Sequence, residues 1–147
     1  MKFESIKKII GGRFIHRYDI TYRTEDGGEK VYEMISRKGD IRSHGELIST
    51  TPDAVVLIMH DETGQKILID REFRLATGEW VYNFPAGLID EGETPEESAK
   101  RELWEETGLE LYAVEDVIPI SYSAVGFSNE TNVCIVGRAR GEFREST

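Results

Sequence analysis

Apolar positions along this chain recur mostly at an interval of two, and one stretch near the middle changes to the interval of a helix. Residues 14–22, FIHRYDITY, alternate and predict a strand. The EDGG of 25–28 predicts a turn, with 31–36, VYEMIS, as the returning strand of a hairpin. RKGD at 37–40 closes it, and a polar loop containing His44 follows. Residues 54–60, AVVLIMH, are apolar almost throughout, as suits a strand covered on both faces. DETG at 61–64 predicts a tight turn, so 66–74, KILIDREFR, is expected to return beside that strand. WVYNFPAG at 80–87 reads as a further strand. Its Trp80, Tyr82 and Phe84 share a face, and core packing is expected for at least two of them. Residues 111–123 predict a strand interrupted near Pro119, AVGFSNE a loop, and 131–140, TNVCIVGRAR, a last strand. No internal repeat or low-complexity tract interrupts this order.

The helical stretch lies within 87–109, GLIDEGETPEESAKRELWEETGL. Thr94 is an N-cap residue, Pro95 suits the first helical position, and Glu97 completes a capping box. Glu96 and Glu97 bring negative charge to the positive end of the helix dipole. Gly108 suits a left-handed terminus, which gives about three and a half turns. Glu102, Glu105 and Glu106 then fall within an arc of about 100°, with Ala99 and Leu103 on the adjoining side against a sheet. Arg101 is spaced for i,i+4 ion pairs with both Glu97 and Glu105. A solvated acidic face would use the same residue types. Three carboxylates on one face nevertheless repel unless a cation sits among them, and hard divalent ions such as Mg²⁺ take such oxygen ligands. Glu93, in the preceding loop, is able to reach the same place.

Composition narrows the function classes. At 147 residues the chain predicts one domain, 1–147, with a hairpin region at 1–45 and a catalytic core at 46–147. Hydrophobic content of 39% and a net charge of −10 describe a globular chain that opposes a nucleic-acid backbone or an anionic membrane as partner. An acidic protein acting on an anionic substrate needs cations at its site. The single cysteine, Cys134, forms no internal disulfide and is expected as a buried spectator in its strand. The N-terminus is too short and polar for a signal peptide and no run is long enough to span a membrane, so a cytoplasmic protein is expected. His16, His44 and His60 show no ligand spacing and are read as non-catalytic.

The acidic stretch resembles the Nudix hydrolase signature, G-x5-E-x7-R-E-U-x-E-E-x-G-U with U aliphatic. It is met by Gly87, Glu93, Arg101, Glu102, Leu103, Glu105, Glu106, Gly108 and Leu109. The resemblance implies an α+β fold: an α/β/α sandwich with a mixed β-sheet, preceded here by the antiparallel N-terminal hairpin. It also implies a further helix near the C-terminus, for which the sequence has no candidate. A truncated chain, or an apolar face completed by a partner, is the expected consequence. The implied chemistry is Mg²⁺- or Mn²⁺-dependent hydrolysis of a nucleoside diphosphate linked to another moiety. Glu102 and Glu106 would be the principal metal ligands, with Glu105 beside them, Glu93 assisting, and the Ala86 carbonyl as a further ligand. Arg101 would orient the glutamates.

Within the family the chain resembles ADP-ribose pyrophosphatases and related nucleoside diphosphate sugar hydrolases. The hairpin, DREFR, WxxxxPAG and GFSNE carry this likeness. It implies that Arg74 and Arg37 bind the substrate's phosphates or terminal ribose. Glu130 would be the general base or an extra ligand. Tyr22, with Tyr18, would be a candidate for contacting adenine across a homodimer. Two positions depart from that pattern: Val125 stands where a proline is usual, and Asn83 where an acid is frequent. The expected reaction yields a nucleoside monophosphate and a sugar phosphate. The alternatives are a hydrolase of nucleoside triphosphates or dinucleoside polyphosphates, and a non-catalytic nucleotide-sugar sensor.

Overall fold

The alternating segments form three separate sheets in the computed structural model, which describes residues 1–144. The chain divides into two compact units, and the first is discontinuous, combining Met1–Thr51 with Ser121–Thr131. It is built on an antiparallel sheet of β1 (Lys2–Gly11), β2 (His16–Arg23) and β3 (Glu29–Ser36), in that order. β2 and β3 are the expected hairpin. β1 was not anticipated, because its burial pattern has no clean period of two and its register with β2 shifts twice. Tyr18, Ile20, Met34 and Ile41 are the buried core, packed against Phe3, Ile6, Tyr22 and Leu47. The polar loop holds a single helical turn, α1 (His44–Leu47), capped by Ser43 and Glu46 in a reciprocal capping box.

The second unit comprises Pro52–Ile120 and the chain from Asn132 onward. Its main sheet has four strands in the order β7 (Ala86–Leu88), β4 (Ala54–His60), β9 (Thr131–Arg140), β8 (Glu110–Tyr122). β4 runs antiparallel to β7 and parallel to β9, so the sheet is mixed. Val55, Leu57 and Met59 of β4 are fully buried together with Ala99 and Leu103 of α2 (Pro95–Thr107), the helix read from the capping box. Among the described residues no second long helix joins α2.

Three strand expectations are corrected. Residues 66–74 do not form a full hairpin with β4. An isolated His60–Ile67 bridge and the Leu68 N–H to Met59 carbonyl bond, 2.8 Å, connect them. β9 occupies one whole edge of β4 and β7 takes Ala54–Val56 of the other, leaving little room. β5 (Asp70–Arg74) therefore pairs with β6 (Glu79–Asn83) as a two-stranded sheet. That sheet leaves one face uncovered, so Trp80 is 58% and Tyr82 75% exposed, and Phe84 is also exposed, contrary to the expected core role. Finally, β8 runs unbroken through Pro119, because at the sheet edge a missing N–H costs no ladder bond.

Candidate metal-binding and active site

The site is organised by Arg101, one turn and a half into α2. Its Nε and Nη2 donate to the two Glu93 oxygens at 2.8 Å each, and Nη1 donates to Glu102 at 2.7 Å and Glu105 at 3.5 Å. Nη2 also meets the Leu88 carbonyl at 3.1 Å, which ties the helix to β7. A planar fork of five donors suits this task as an ammonium would not. The guanidinium holds Glu93 well below the usual carboxylate range, at about 2. Glu97 was expected to pair with Arg101 too. Its carboxylate instead accepts from the Thr94 N–H and hydroxyl, each at 2.8 Å, because the capping geometry directs it to the helix start.

Glu106 is the carboxylate without compensation. Its Oε2 is buried with no hydrogen-bond partner. Burial, then the charges of Glu102, Asp70, Glu72 and Glu105, push its pKa up to about 7. Asp70 is raised as well, by burial first and then by Glu72, and its Oδ1 is a second buried oxygen without a partner. Asp70 and Glu72 were missed in the sequence, where DREFR drew attention to Arg74 alone. The signal was available: residues 70, 72 and 74 share a strand face at period two. Asp70 also stands opposite Asn83 in the β5–β6 ladder, so this chain carries an acid beside the position where Asn83 departs from the pattern.

Two backbone features fit these residues to a cation. A Cβ on Gly87 would run into the Glu102 carboxylate, so only glycine lets β7 approach the acidic face this closely. The Pro85 carbonyl bonds to Leu57 of β4, and the alternation of an antiparallel ladder turns the Ala86 carbonyl to the opposite edge, where Leu88 meets Arg101. Among the described residues no three His, Cys, Asp or Glu groups already converge as a closed ligand set. The arrangement is instead a surplus of negative charge with orphaned oxygens, facing carbonyl and carboxylate donors that suit a hard ion.

Two results are expected from this geometry. Gly87→Ala should weaken Mg²⁺ binding about tenfold by displacing Glu102, as measured by calorimetry; unchanged affinity would remove Glu102 from the ligand set. The metal-free protein should also melt at progressively lower temperature as pH rises from the ordinary 4.5 of a glutamate toward about 7. The sign follows from the raised folded-state pKa: the folded protein holds a proton that the unfolded chain has already released in this window. A flat melting profile there would contradict the burial of Glu106.

The remaining candidates fall elsewhere. Arg74 lies on the same strand face as Asp70, with Nη1 2.9 Å from Glu72. Arg37 and Glu130 both belong to the first unit, where Nε of Arg37 donates to Glu130 at 2.5 Å. Tyr22 is half-buried with Phe3 edge-on at 6.1 Å. Tyr18 is fully buried and its hydroxyl donates to the Lys38 carbonyl at 2.7 Å, so a contact with a nucleobase is corrected to a core role. Cys134 is unpaired and half-buried rather than fully enclosed. No helix among the described residues is long and apolar enough to cross a membrane.

The ADP-sugar pyrophosphatase of Mus musculus is 29% identical over 91% of this chain and 59% of its own length. The ADP-ribose pyrophosphatase of Saccharomyces cerevisiae is 30% identical over 89% of this chain and 54% of its own length. The chain thus spans less than two thirds of these relatives. A solved ADP compounds hydrolase has the same fold, with a TM-score of 0.72 at 19% identity over 99% of this chain and 72% of that one. The NUDIX domain model matches residues 50–144, a span that contains Arg101 and every carboxylate gathered around it, and the chain belongs to that family.

Proposed function

We propose that this chain is a divalent-metal-dependent pyrophosphohydrolase that cleaves ADP-ribose or a related nucleoside diphosphate sugar to a nucleoside monophosphate and a sugar phosphate. The observation that carries the reading is the uncompensated Glu106 oxygen amid Glu102, Glu105, Asp70 and Glu72. The names of the relatives that match across most of the chain support the substrate class.

Glu102, Glu105 and Glu106, assisted by Glu93 and the Ala86 carbonyl, would hold Mg²⁺ or Mn²⁺. When bound, such an ion supplies positive charge against the diphosphate and makes water more acidic. The residues of the chain do the rest. Arg101 fixes Glu93, Glu102 and Glu105 so that their oxygens present one face. Glu106 gives up its proton when the cation enters, which makes binding pH-dependent. Arg74 exchanges its Glu72 partner for a substrate phosphate, an exchange that its exposure allows. Tyr22 contacts the base. Glu130, as the family resemblance implies, would serve as an extra ligand or as the general base that accepts a proton from the attacking water while the new P–O bond forms. The bridging P–O bond breaks, and its electron pair leaves with the departing phosphate.

The proposal includes a homodimer. It is supported by exposed apolar side chains on β8 (Val117, Ile118, Ile120) and on the β5–β6 sheet (Phe73, Trp80, Tyr82). A cytoplasmic setting also belongs to it, consistent with the unpaired Cys134. The test is incubation of the purified chain with ADP-ribose, with and without Mg²⁺, following AMP and ribose 5-phosphate. Metal-dependent release of both is expected. Cleavage of nucleoside triphosphates to nucleoside monophosphate and pyrophosphate, with ADP-ribose untouched, would overturn the substrate assignment.

A further inference from the structure

Residues 5–18, SIKKIIGGRFIHRY, contain Lys7, Lys8, Arg13 and Arg17 and no acid, although the chain has 28 Asp and Glu. The first unit as a whole holds ten Lys and Arg against nine Asp and Glu, so the net charge of −10 resides in the second. The basic run forms the β1–β2 end of the first unit's sheet. There the Gly12 N–H donates to the Ile15 carbonyl at 2.8 Å, which draws residues 12–15 into a tight turn with Arg13 and Phe14 at its tip. A Cβ on Gly12 would stand 2.8 Å from that carbonyl oxygen, so glycine permits the closure. Ile10 is 66% and Phe14 65% exposed, and Ile9 and Ile15 beside them are exposed as well. Arg13 lies over the Phe14 ring, 5.0 Å from its centroid, and Lys8 donates to the Gly39 carbonyl at 2.7 Å, so both cations have neutral partners. Arg17 by contrast meets Asp19 and Glu33, and Asp19 also stands opposite Lys7 in the ladder. Lys8 and Arg13 therefore supply most of the free charge.

We infer that the β1–β2 turn docks on an anionic lipid surface, with Ile10 and Phe14 inserted and Lys8 and Arg13 among the headgroups. Clustered exposed apolar side chains mark a contact surface. These four expose only about half of the roughly 800 Å² that one side of a stable protein–protein interface buries, so the tip is small for a protein partner. β1 lies at the edge of its sheet, but its lysines and its two register shifts against β2 discourage the addition of a further strand. A bilayer surface needs neither a matched shape nor a strand edge: apolar side chains enter the acyl boundary while cations meet anionic headgroups. The net charge that opposes such a partner for the chain taken whole does not act at the tip. The acidic β2–β3 turn, flanked by Glu25, Asp26 and Glu29, lies a strand length away at the other end of the sheet. That is about 25 Å at 3.3 Å per residue, whereas charge is screened over about 8 Å at physiological salt. Docking of this kind is independent of the hydrolase reading and is measured without substrate.

The test is flotation of the full chain with vesicles of phosphatidylcholine, alone or with about 30% phosphatidylserine to give an anionic surface. Partition onto the anionic vesicles should exceed that onto the neutral ones by about tenfold or more at low salt, and the excess should vanish at about 0.5 M salt. Arg13→Glu and Phe14→Ser should each weaken partition roughly tenfold while the melting temperature stays unchanged, because both side chains are exposed. Glu25→Lys shifts the net charge by the same amount at the opposite end of the sheet, and should alter partition less than about twofold. No partition onto the anionic vesicles, or equal partition onto both compositions, would overturn the inference. A gain with Glu25→Lys as large as the loss with Arg13→Glu would also overturn it, since binding would then follow net charge and not the turn. So would a dimer, measured by light scattering, that Phe14→Ser converts to a monomer while the wild-type chain leaves the vesicles unbound: the turn would then be an interface between copies.

Discussion

Replacing Glu106 by Gln is expected to lower turnover on the order of a thousandfold, equivalent to about 4 kcal/mol of transition-state stabilisation. The same change should raise the melting temperature of the metal-free protein at neutral pH. These opposite effects have one cause. Glu106 is buried among like charges and has an oxygen with no donor, so its ionised form opposes folding. The feature that makes it costly in the absence of a cation would make it a strong ligand in the proposed metal site. Gln keeps the shape and removes the charge, which relieves the repulsion and forfeits the ligand. Added Mg²⁺ should stabilise the wild-type protein at neutral pH and the variant much less. A variant that retains near-wild-type turnover, or that melts below wild type without metal, would show that Glu106 is structural.

Arg101→Ala is the second large effect, and here stability and activity fall together. One guanidinium hydrogen-bonds Glu93, Glu102 and Glu105 and satisfies the Leu88 carbonyl. Its side chain is 26% exposed and that of Glu93 22%, so the loss should approach, without reaching, that of a fully buried pair. About 2–3 kcal/mol is expected, measured as a lower urea midpoint at unchanged slope. Arg101→Lys should recover less than half of this, since a single ammonium cannot span three carboxylates and a carbonyl. A shift below about 0.5 kcal/mol would place Arg101 among ordinary surface ion pairs.

Helix α2 was readable because its determinants are local. Thr94, Pro95, Glu97 and Gly108 define its ends within one segment, and Gly108 does adopt the left-handed conformation, at φ 77°. The spacing of Arg101 and the glutamates likewise depends only on helical geometry. What escaped depended on partners distant in sequence. Nothing in 66–74 announces that β7 and β9 have already occupied β4, so its pairing with β6 was not foreseen. Trp80 and Tyr82 alternate as core residues do, and only the absence of a covering layer leaves them wet. Asp70 reads as a strand-end acid until the fold brings it near Glu106. Even within the helix one local rule displaced another, since Glu97 satisfied the cap instead of Arg101.

The first unit draws its sheet from Met1–Thr51 and its loop from Ser121–Thr131, with most of the other unit encoded between them. This has a consequence for biosynthesis. At about 5–20 residues per second, the loop leaves the ribosome several seconds after the sheet that will bind it. During that interval the Ile35 N–H of β3, which later donates to the Phe127 carbonyl, and Arg37, which later meets Glu130, wait for their partners on the nascent chain. The segment bearing Glu130 is among the last to be ordered, after the carboxylates of α2 have been made. A chain interrupted shortly before residue 121 would lack β9, the strand between β4 and β8, while its N-terminal sheet remained an open acceptor. A peptide of residues 121–131 supplied in trans should then be able to dock there.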